Sequence, residues 1–381
     1  MALYQLGRAL PVYGVDLAAY DTIGTGEGDL ILQTVGGDRF RTSVFALGIS
    51  PFMISTLFVQ LAAALKNANS NSPVSPKKLK KLTYVVMFLW AIVQAWFTTA
   101  SAIYLVDAAP RLSLVRLISG VEMVAGAFVI LWLGAVNTKH GIGGYTLLIF
   151  VNVLESVIRS VKGVAPAQLK TVGLIACAAF LCTVLFENAE YRIPLQRISI
   201  HNIYSDKNYI PIKLNPIGMM PVMFSSAFFL LPIYACRLLA TLLPDNGSVI
   251  RAAENMDTTH PLGIGVYVAV LFIISVSFSF VFLSPKTLAE HLQKSGDSIT
   301  GLRSGRRTRS YISRRVLIIS LFSAGFLAFF IALPLVLQLK GLISLSVMNL
   351  PSVMIVLGSI SCSLYRELRA ARDQDAYIPF I

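Results

Sequence analysis

Charged side chains are scarce in this sequence, and their shortage decides its broad class. Asp, Glu, Lys and Arg make up only 13% of the 381 residues, whereas hydrophobic residues make up 55%. Soluble domains carry roughly 25% charged residues. The composition therefore excludes an ordinary soluble protein and places the chain among integral membrane proteins, whose apolar surface is surrounded by lipid rather than water.

Residues that build metal and redox sites are also few, and they are poorly spaced for that purpose. Only four cysteines are present, Cys177, Cys182, Cys236 and Cys362, and they form no Cys-x-x-Cys pair. The four histidines lie far apart in the sequence. Neither a disulfide framework nor a zinc site is supported. Because no nucleotide loop or catalytic triad is apparent either, we expect no enzymatic activity, no catalytic residues, no metal and no cofactor.

Long apolar runs are the feature that the sequence has in abundance. A helix that crosses a bilayer needs about 20 mostly apolar residues, and nine runs qualify. They are residues 43–65, 83–106, 113–136, 144–161, 169–187, 216–243, 262–284, 315–338 and 342–364. Such runs are too long for barrel strands of about 10 residues, so the pattern predicts an all-α integral membrane protein. Run 144–161 is the weakest, because Asn152 and Glu155 interrupt it.

The basic residues predict an orientation for these spans. Lys and Arg number 32 against 19 Asp and Glu, and most of them cluster in alternate loops, above all in 66–81, 188–214 and 285–314. Cytoplasmic loops of membrane proteins carry such an excess, so these loops and the C-terminus are predicted to be cytoplasmic. The clusters are short and lie between apolar runs, which favours lipid headgroups and a cytosolic partner over nucleic acid.

Several motifs occur in an order that resembles one known family. Residues 43–61 are SVFALGISPFMISTLFVQL, residues 210–232 are IPIKLNPIGMMPVMFSSAFFLLP, and residues 283–305 are LSPKTLAEHLQKSGDSITGLRSG. Together with LGRALPVYGVD (6–16), GIGGYTLLIF (141–150) and RIPLQR (192–197), they resemble segments of SecY, the central channel subunit of the bacterial Sec translocon. The resemblance implies a helical bundle of two pseudo-symmetric halves. Nine complete spans of the family's ten are visible, and the first would precede Leu6.

This resemblance implies a division of the chain into four parts. Residues 1–42 correspond to the remnant of the first span and a plug segment. Residues 43–187 form the N-terminal half, a five-span family unit that lacks its first span. Residues 188–214 form a cytoplasmic loop, and residues 215–381 form the C-terminal half with its cytoplasmic loop 285–314.

The branch of the family is suggested by one stretch of sequence. ISIHNIYSDKNYIPIKLNPIGMMPVMF (198–224) is more similar to the accessory Sec paralogue of certain Gram-positive bacteria than to the housekeeping channel, which is the alternative. The accessory branch implies export of unfolded preproteins, namely serine-rich glycosylated surface adhesins, across the bacterial cytoplasmic membrane. It implies a SecA-type motor ATPase as partner, with small SecE/SecG-like membrane subunits or accessory Sec proteins, membrane lipids and no nucleic acid.

The resemblance also assigns residues to the path of the exported chain. A constriction of apolar side chains dewets when it is empty and deforms around a polypeptide, and flexible methionines suit it. The implied pore ring is Ile49, Met53, Ile149, Val153, Met223 and Ile355. From the residues alone, the favoured alternative is that Met53 and Met223 merely fill gaps in the core.

Two further elements of the path follow from the same resemblance. Residues 24–42 match the family's plug. Its apolar face would be Leu30, Ile31, Leu32 and Val35, and its hinge would be Gly36 and Gly37. The lateral gate would involve the 43–65, 216–243 and 262–284 spans, with Gln60 as a buried polar residue in it. A plain interhelical hydrogen bond is the alternative role for Gln60.

The cytoplasmic loops would carry the docking surface for the motor. Arg303 matches the arginine of the family's GLRSG-type turn, and Arg306, Arg307 and Arg309 extend its basic surface. Arg192 and Arg197 in the other long loop would contribute, although positive-inside charge explains them as well. Glu122 and Glu155 lie in predicted spans, and their partners are not evident from the sequence.

Other classes of membrane protein remain as alternatives. Buried acidic residues and broken helices also fit a secondary transporter of small solutes. The two long basic cytoplasmic segments and the apolar constriction favour the channel. An intramembrane enzyme would need clustered His, Asp or Ser at one depth, which the sequence does not suggest.

Overall fold

The computed structural model describes most of the chain as helices that are joined by short connections. It covers residues 2–15, 43–69, 75–100, 102, 104, 111–161, 164, 166–196, 209–225, 228–229, 236, 251, 255–256, 260–302 and 305–376. The helices are α1 (Ala2–Ala9), α2 (Ser50–Asn69), α3 (Pro76–Ala100), α4 (Leu112–His140), α5 (Gly144–Val161), α6 (Pro166–Asn188), α7 (Pro261–Leu283), α8 (Pro285–Ser295), α9 (Arg306–Leu339), α10 (Leu345–Met348) and α11 (Leu350–Ala376). The strands are β1 (Glu190–Gln196), β2 (Tyr209–Lys213) and β3 (Ser298–Ile299).

The helices confirm the predicted all-α membrane architecture. Within the described residues, five stretches are long and apolar enough to span a bilayer: α3, α4, most of α6, α7 with α8, and α9. Helices α2 and α5 contain shorter apolar segments, Ser50–Ala63 and Gly144–Ile158. Only 22% to 39% of the five apolar stretches is buried inside the protein. Their outward faces carry side chains such as Trp96 and Leu174, which are 73% and 74% exposed, so the chain is a multi-pass membrane protein.

Several helices begin or end away from the predicted boundaries. Helix α2 begins at Ser50 rather than 43, because residues 43–49 form successive turns that end at Gly48, whose φ is +57°. Pro51 then occupies the first turn of α2, where its missing N–H costs no hydrogen bond.

The other differences arise because helices continue past the apolar runs into polar sequence. Helix α3 begins at Pro76 instead of 83, and α9 begins at Arg306 instead of 315. Helix α11 continues to Ala376, beyond the predicted end at 364, but it begins only at Leu350 instead of 342, because the separate short helix α10 precedes it. Lys and Arg are good helix formers, so the basic residues of the predicted linkers extend these helices. Run 216–243 is described only in part, with helical residues at 220–225 and 228–229.

Two compact units account for the packing of the chain. Unit 1 comprises Met1–Gly163 and Ser363–Ile381, and unit 2 comprises Val164–Cys362. Helix α11 therefore begins in unit 2 and ends in unit 1. The division into family halves around residues 188–214 rests on the resemblance rather than on packing, and it stays a prediction.

Unit 1 is organised around consecutive helices that pack on one another, from α2 through α5. Its core is formed by small and aliphatic side chains: Val12, Val15, Ala46, Leu47, Met87, Ala95, Met123 and Ala127. Helix α4 approaches the turn before α2 so closely that a Cβ at Gly126 would collide with the carbonyl oxygen of Val44. The extension of α11 is held in this unit by the Gly143 N–H, which donates a 3.0 Å hydrogen bond to Glu367 Oε1.

Unit 2 contains a feature that the sequence analysis did not predict, a three-stranded antiparallel sheet in the order β2-β1-β3. The two long loops 188–214 and 285–314 thus fold together. The apolar face of the sheet packs on α8 and α9 through Ile193, Leu195, Ile212, Ala289, Leu292, Ile299, Ile312, Val316 and Ile319. We call this assembly of β1, β2, β3, α8 and the first turns of α9 the basic platform.

The close approach at Gly126 leads to a test of the unit 1 packing. Gly126→Ala should lower the free energy of unfolding by about 2 kcal/mol, because overpacking against backbone cannot be relieved by a rotamer change. The measurement is the thermal unfolding midpoint of the detergent-solubilised protein.

Gly173→Ala is the matched control for this substitution. Gly173 also lies within a spanning helix, α6, but a Cβ there meets nothing within 4 Å. This variant should be neutral, or more stable by up to about 1 kcal/mol through its better helix propensity. Equal midpoints for the two variants would contradict the close contact.

Candidate functional site

The predicted ring residues of unit 1 are apolar and almost entirely enclosed. Ile49, Ile149 and Val153 are buried, and Met53 is partly buried. The carbonyl of Ile49 accepts hydrogen bonds from the N–H groups of Phe52 and Met53, both at 3.1 Å, at the start of α2. Ile149 and Val153 stand one turn apart on α5, so their side chains share one face of that helix.

Unit 2 buries its two predicted ring residues completely. Met223 lies in the helical stretch 220–225, and Ile355 lies in the second turn of α11. Both have 0% exposure. The next residue after Met223, Phe224, stacks on Phe278 of α7 with ring centroids 5.5 Å apart. The burial of all these side chains is consistent with either a seal or a core, and their assembly into one ring stays a prediction.

The predicted plug residues 24–42 lie outside the described residues, but the segments that flank them are described. Pro11 forms an antiparallel bridge with Ser43, and the N–H of Val44 donates to the carbonyl of Leu10 at 3.1 Å. Residues 10–11 and 43–44, on either side of the predicted plug, therefore lie next to each other.

Helix α1 supplies polar partners for Asn152 and Glu155, the two residues that interrupt the apolar run of α5. The Tyr4 hydroxyl donates to Asn152 Oδ1 at 2.6 Å, and the guanidinium of Arg8 forms an ion pair with Glu155. Arg8 is only 4% exposed in this position. Tyr4 and Arg8 are one turn apart on α1, and so are Asn152 and Glu155 on α5, which allows the two pairs to match. These buried polar residues therefore join two helices.

Glu122, the other acidic residue within a span, also has a partner. Its Oε2 accepts a 3.0 Å hydrogen bond from the backbone N–H of Tyr13. This contact ties α4 to the segment that follows α1. The sequence analysis placed Glu122 in a span but gave no partner, because a backbone N–H leaves no trace in the residue pattern.

Gln60 is partly buried, not buried as predicted. A second glutamine, which the sequence analysis missed, lies on the neighbouring helix: Gln94 of α3 donates from Nε2 to Ser50 Oγ at 3.3 Å. One turn away, Trp90 packs against Phe58 of α2 with centroids 6.1 Å apart. A glutamine in the middle of a 25-residue apolar helix was the signal that could have found this polar contact between α2 and α3.

The basic platform gathers those predicted docking residues that the structure describes. Arg192 on β1 and Arg306, Arg307 and Arg309 at the start of α9 are exposed. The guanidinium of Arg192 lies 4.6 Å from the centre of the Tyr209 ring, which links β1 to β2 by a cation–π contact. Arg303 and Arg197 lie outside the described residues.

A further arginine, which was not predicted, anchors the platform to the spanning part of α9. Arg315 lies 5.6 Å from the centre of the Tyr191 ring and 5.1 Å from that of Tyr311. Such contacts attract a guanidinium to the face of an aromatic ring. These contacts therefore join β1 of the basic platform to α9.

Comparisons with known proteins agree on one family. A family model described as SecY matches residues 43–362. The accessory Sec system protein translocase subunit SecY2 of Streptococcus oralis (strain Uo5) is 30% identical, over 99% of this chain and 94% of the relative. The subunit of the same name from Streptococcus agalactiae serotype III (strain NEM316) is 29% identical, over 98% and 92%. The protein translocase subunit SecY of Streptococcus gordonii (strain Challis) is 28% identical, over 88% and 82%.

Solved structures share the fold at lower sequence identity. One described as "The structure of a protein conducting channel" is 18% identical, with a TM-score of 0.70 over 100% of this chain and 92% of its own. Sec61 in the canine ribosome-channel complex is 16% identical, with a TM-score of 0.63 over 100% and 92%. At these identities the likeness establishes the arrangement of helices.

The pair formed by Arg8 and Glu155 can be tested by a double-mutant cycle. Arg8→Leu alone should be more destabilising than Arg8→Leu combined with Glu155→Leu, because the single change leaves a partly buried carboxylate without the guanidinium of Arg8. We expect a coupling energy of about 1–3 kcal/mol from thermal unfolding in detergent.

The matched control for this cycle is the ion pair between Arg369 and Asp373 on α11, whose side chains are 72% and 66% exposed. Its coupling energy should stay below about 0.5 kcal/mol, because exposed pairs are screened by water. Equal coupling in the two pairs would show that Arg8 and Glu155 do not depend on each other.

Proposed function

Because this chain belongs to the SecY family, we propose that it forms the central subunit of a protein translocase, a passive channel that exports unfolded preproteins across the bacterial cytoplasmic membrane. The match of the SecY model over residues 43–362 carries this proposal. The apolar outer faces of the helices and the buried apolar ring candidates support it. The family is one of channels and not of catalysts, so an outside motor supplies the energy.

The branch that we propose is the accessory Sec system. The relatives that bear this name align with nearly the whole chain. The substrates would be serine-rich glycosylated surface adhesins, and the partners a SecA-type motor ATPase and small SecE/SecG-like membrane subunits or accessory Sec proteins. The housekeeping channel is the alternative, and neighbouring genes for a glycosylated adhesin and a second motor would distinguish the two.

The seal of the channel would be made by six apolar side chains. Ile49, Met53, Ile149, Val153, Met223 and Ile355 would form the constriction. With no polypeptide present, water withdraws from such a ring, and ions then face an apolar barrier. Residues 24–42 would close it from outside as a plug. Gln60, with the α2 span and the 216–243 and 262–284 spans, would belong to the lateral gate.

The basic platform would receive the motor. Its exposed arginines, Arg192, Arg306, Arg307 and Arg309, present several positive charges on one folded element, and Arg197 and Arg303 would extend this surface. An acidic partner surface is the complement of such an element. The same excess of basic residues supports a cytoplasmic location for the platform and for the C-terminus.

The docking proposal leads to an export experiment with reconstituted vesicles. The wild-type chain, supplied with a SecA-type motor and ATP, should move a preprotein into the vesicle lumen. Reversal of three charges (R306E, R307E and R309E together) should lower that rate at least about ten-fold, because like charges at a docking face oppose association. The same loss is expected for R303E. Protease protection of the preprotein measures the rate.

Reversal of two charges at the end of α11 (R369E and R372E together) is the control, because these exposed residues lie outside the platform. This variant should export at the wild-type rate. An equal loss in both variants would contradict docking at the platform. Uptake of a small solute but never of a polypeptide by the wild-type vesicles would favour the secondary transporter instead.

The ring proposal predicts an ion leak. Replacement of Ile49, Ile149 and Met223 by serine should raise the conductance of the resting protein in planar bilayers at least about ten-fold, because a hydrated constriction no longer excludes ions. Serine at Leu174 and Leu185, which are outward-facing positions 74% and 68% exposed, should leave the conductance unchanged. If the ring variant had the same resting conductance as the wild type, these assignments would be rejected.

A further inference from the structure

A buried carboxylate lies at the end of α6, and the export mechanism described above does not use it. Glu187 is 5% exposed. Its Oε1 accepts a hydrogen bond from Ser359 Oγ of α11 at 2.8 Å. The same oxygen accepts one from Asn215 Nδ2 at 3.3 Å. One carboxylate oxygen therefore joins α6, α11 and the segment that follows β2.

Asn215 extends these contacts to a third helix. It is 2% exposed, and its Nδ2 also donates to the carbonyl of Gly218 at 3.2 Å. Its Oδ1 accepts from Ser323 Oγ of α9 at 3.2 Å. We call Glu187, Asn215, Gly218, Ser323 and Ser359 the polar junction. All five belong to unit 2, and they connect α6, α9 and α11 to the turn at 214–219.

The geometry of the junction requires glycine at position 218. Gly218 has a φ of +65°. Residues with a Cβ are strained in this backbone conformation, whereas glycine adopts it readily. A Cβ there would also lie 2.7 Å from Ser359 Oγ and 2.9 Å from Glu187 Oε1. The turn that contains Asn215 and Gly218 therefore packs directly against the carboxylate of Glu187.

Energetically, the junction behaves as one unit. A buried donor or acceptor that loses its partner costs more than the hydrogen bond itself contributes. The members polarise one another in an apolar environment, so a defect in one weakens the rest. The helices that meet here are therefore held in one arrangement by a few polar atoms, while the surrounding apolar contacts are not directional.

Both ring candidates of unit 2 are attached to this junction. Met223 follows Gly218 by five residues, and it lies in the helical stretch that begins at Met220, directly after the turn. Ile355 precedes Ser359 by one turn on the same face of α11. A shift of Glu187 or Asn215 would move the backbone that carries each of these side chains.

We propose that Glu187, Asn215 and Ser359 are positioning residues, which hold Met223 and Ile355 in the sealing position of the resting channel. The inference rests on the proposed function, and it adds residues outside the constriction on which the seal depends. When the junction is intact, the two side chains stay in place and ions are excluded. When it is broken, the helices that carry them can shift and the seal weakens.

The test measures the resting ion conductance of the purified protein in planar bilayers. Glu187→Leu, Asn215→Leu and Ser359→Ala should each raise it, by about ten-fold for the loss of one buried partner. Glu187→Gln should stay near the wild-type value, because its amide oxygen can still accept from Asn215 and Ser359. Rescue by this conservative variant would not be expected if the carboxylate acted through its charge.

Two serines provide matched controls on the same helices. Ser361 Oγ donates to the carbonyl of Leu357 at 2.7 Å, within α11, and Ser320 Oγ donates to the carbonyl of Leu317 at 3.0 Å, within α9. Ser361→Ala and Ser320→Ala remove a hydroxyl of the same kind without touching the junction. Their conductance should match the wild type.

A second readout separates positioning from general loss of stability. In a background that lacks the four native cysteines, Met223→Cys can be labelled by a water-soluble maleimide. Labelling should be at least about five-fold faster with Ser359→Ala than with Ser361→Ala, because a shifted residue 223 meets water. A mere loss of stability would change the thermal midpoint but not this ratio in the folded protein.

The outcomes separate the inference from the proposed function. If vesicles with the wild-type protein move the preprotein into their lumen, and Ser359→Ala changes neither conductance nor labelling, the inference is overturned. The proposed channel function is then still supported. If the wild-type protein passes no polypeptide with its motor, the proposed function is overturned and the inference falls with it. A leak confined to the junction variants, in a protein that exports, supports both.

Discussion

Every polar group that enters the lipid must find its partner inside the protein, because hydrocarbon offers no hydrogen bond in exchange. The described helices obey this constraint in two ways. Many hydroxyls of serine and threonine bond back to a carbonyl of their own helix, as Thr183 does to Ala179 at 2.7 Å. Other polar side chains pair between distant segments, Arg8 of α1 with Glu155 of α5, and Asn215 of the turn at 214–219 with Glu187 of α6. Since apolar surfaces are interchangeable in lipid, these few pairs specify which helices are neighbours.

The same constraint explains what the sequence could predict. A run of apolar residues is itself the requirement for crossing a bilayer, so the spans and the fold class followed from composition and length. The ends of the helices did not follow, because a helix is maintained by its backbone hydrogen bonds and continues where lipid contact stops. The first turns of α9, from Arg306 onward, are polar and helical at once. A count of apolar residues cannot detect them.

The contacts between distant segments could be predicted least. Arg8 and Glu155 are 147 positions apart in the sequence, and Glu187 and Ser359 are 172 apart. Each residue alone is an unexplained polar group within or near a span, and only the packing of the helices identifies its partner. The resemblance to SecY supplied positions for the ring, but it supplied neither the sheet nor the hydrogen bonds around Gly218. Those depend on how this chain satisfies its own buried polar atoms.

The sheet also has a consequence for the order in which the protein matures on the ribosome. Its central strand, β1, is synthesised long before β3 and before the α9 face on which the sheet packs. A nascent chain that stops short of Arg306 therefore exposes Ile193 and Leu195 without their cover. We expect the basic platform to be completed only when α9 has emerged and inserted.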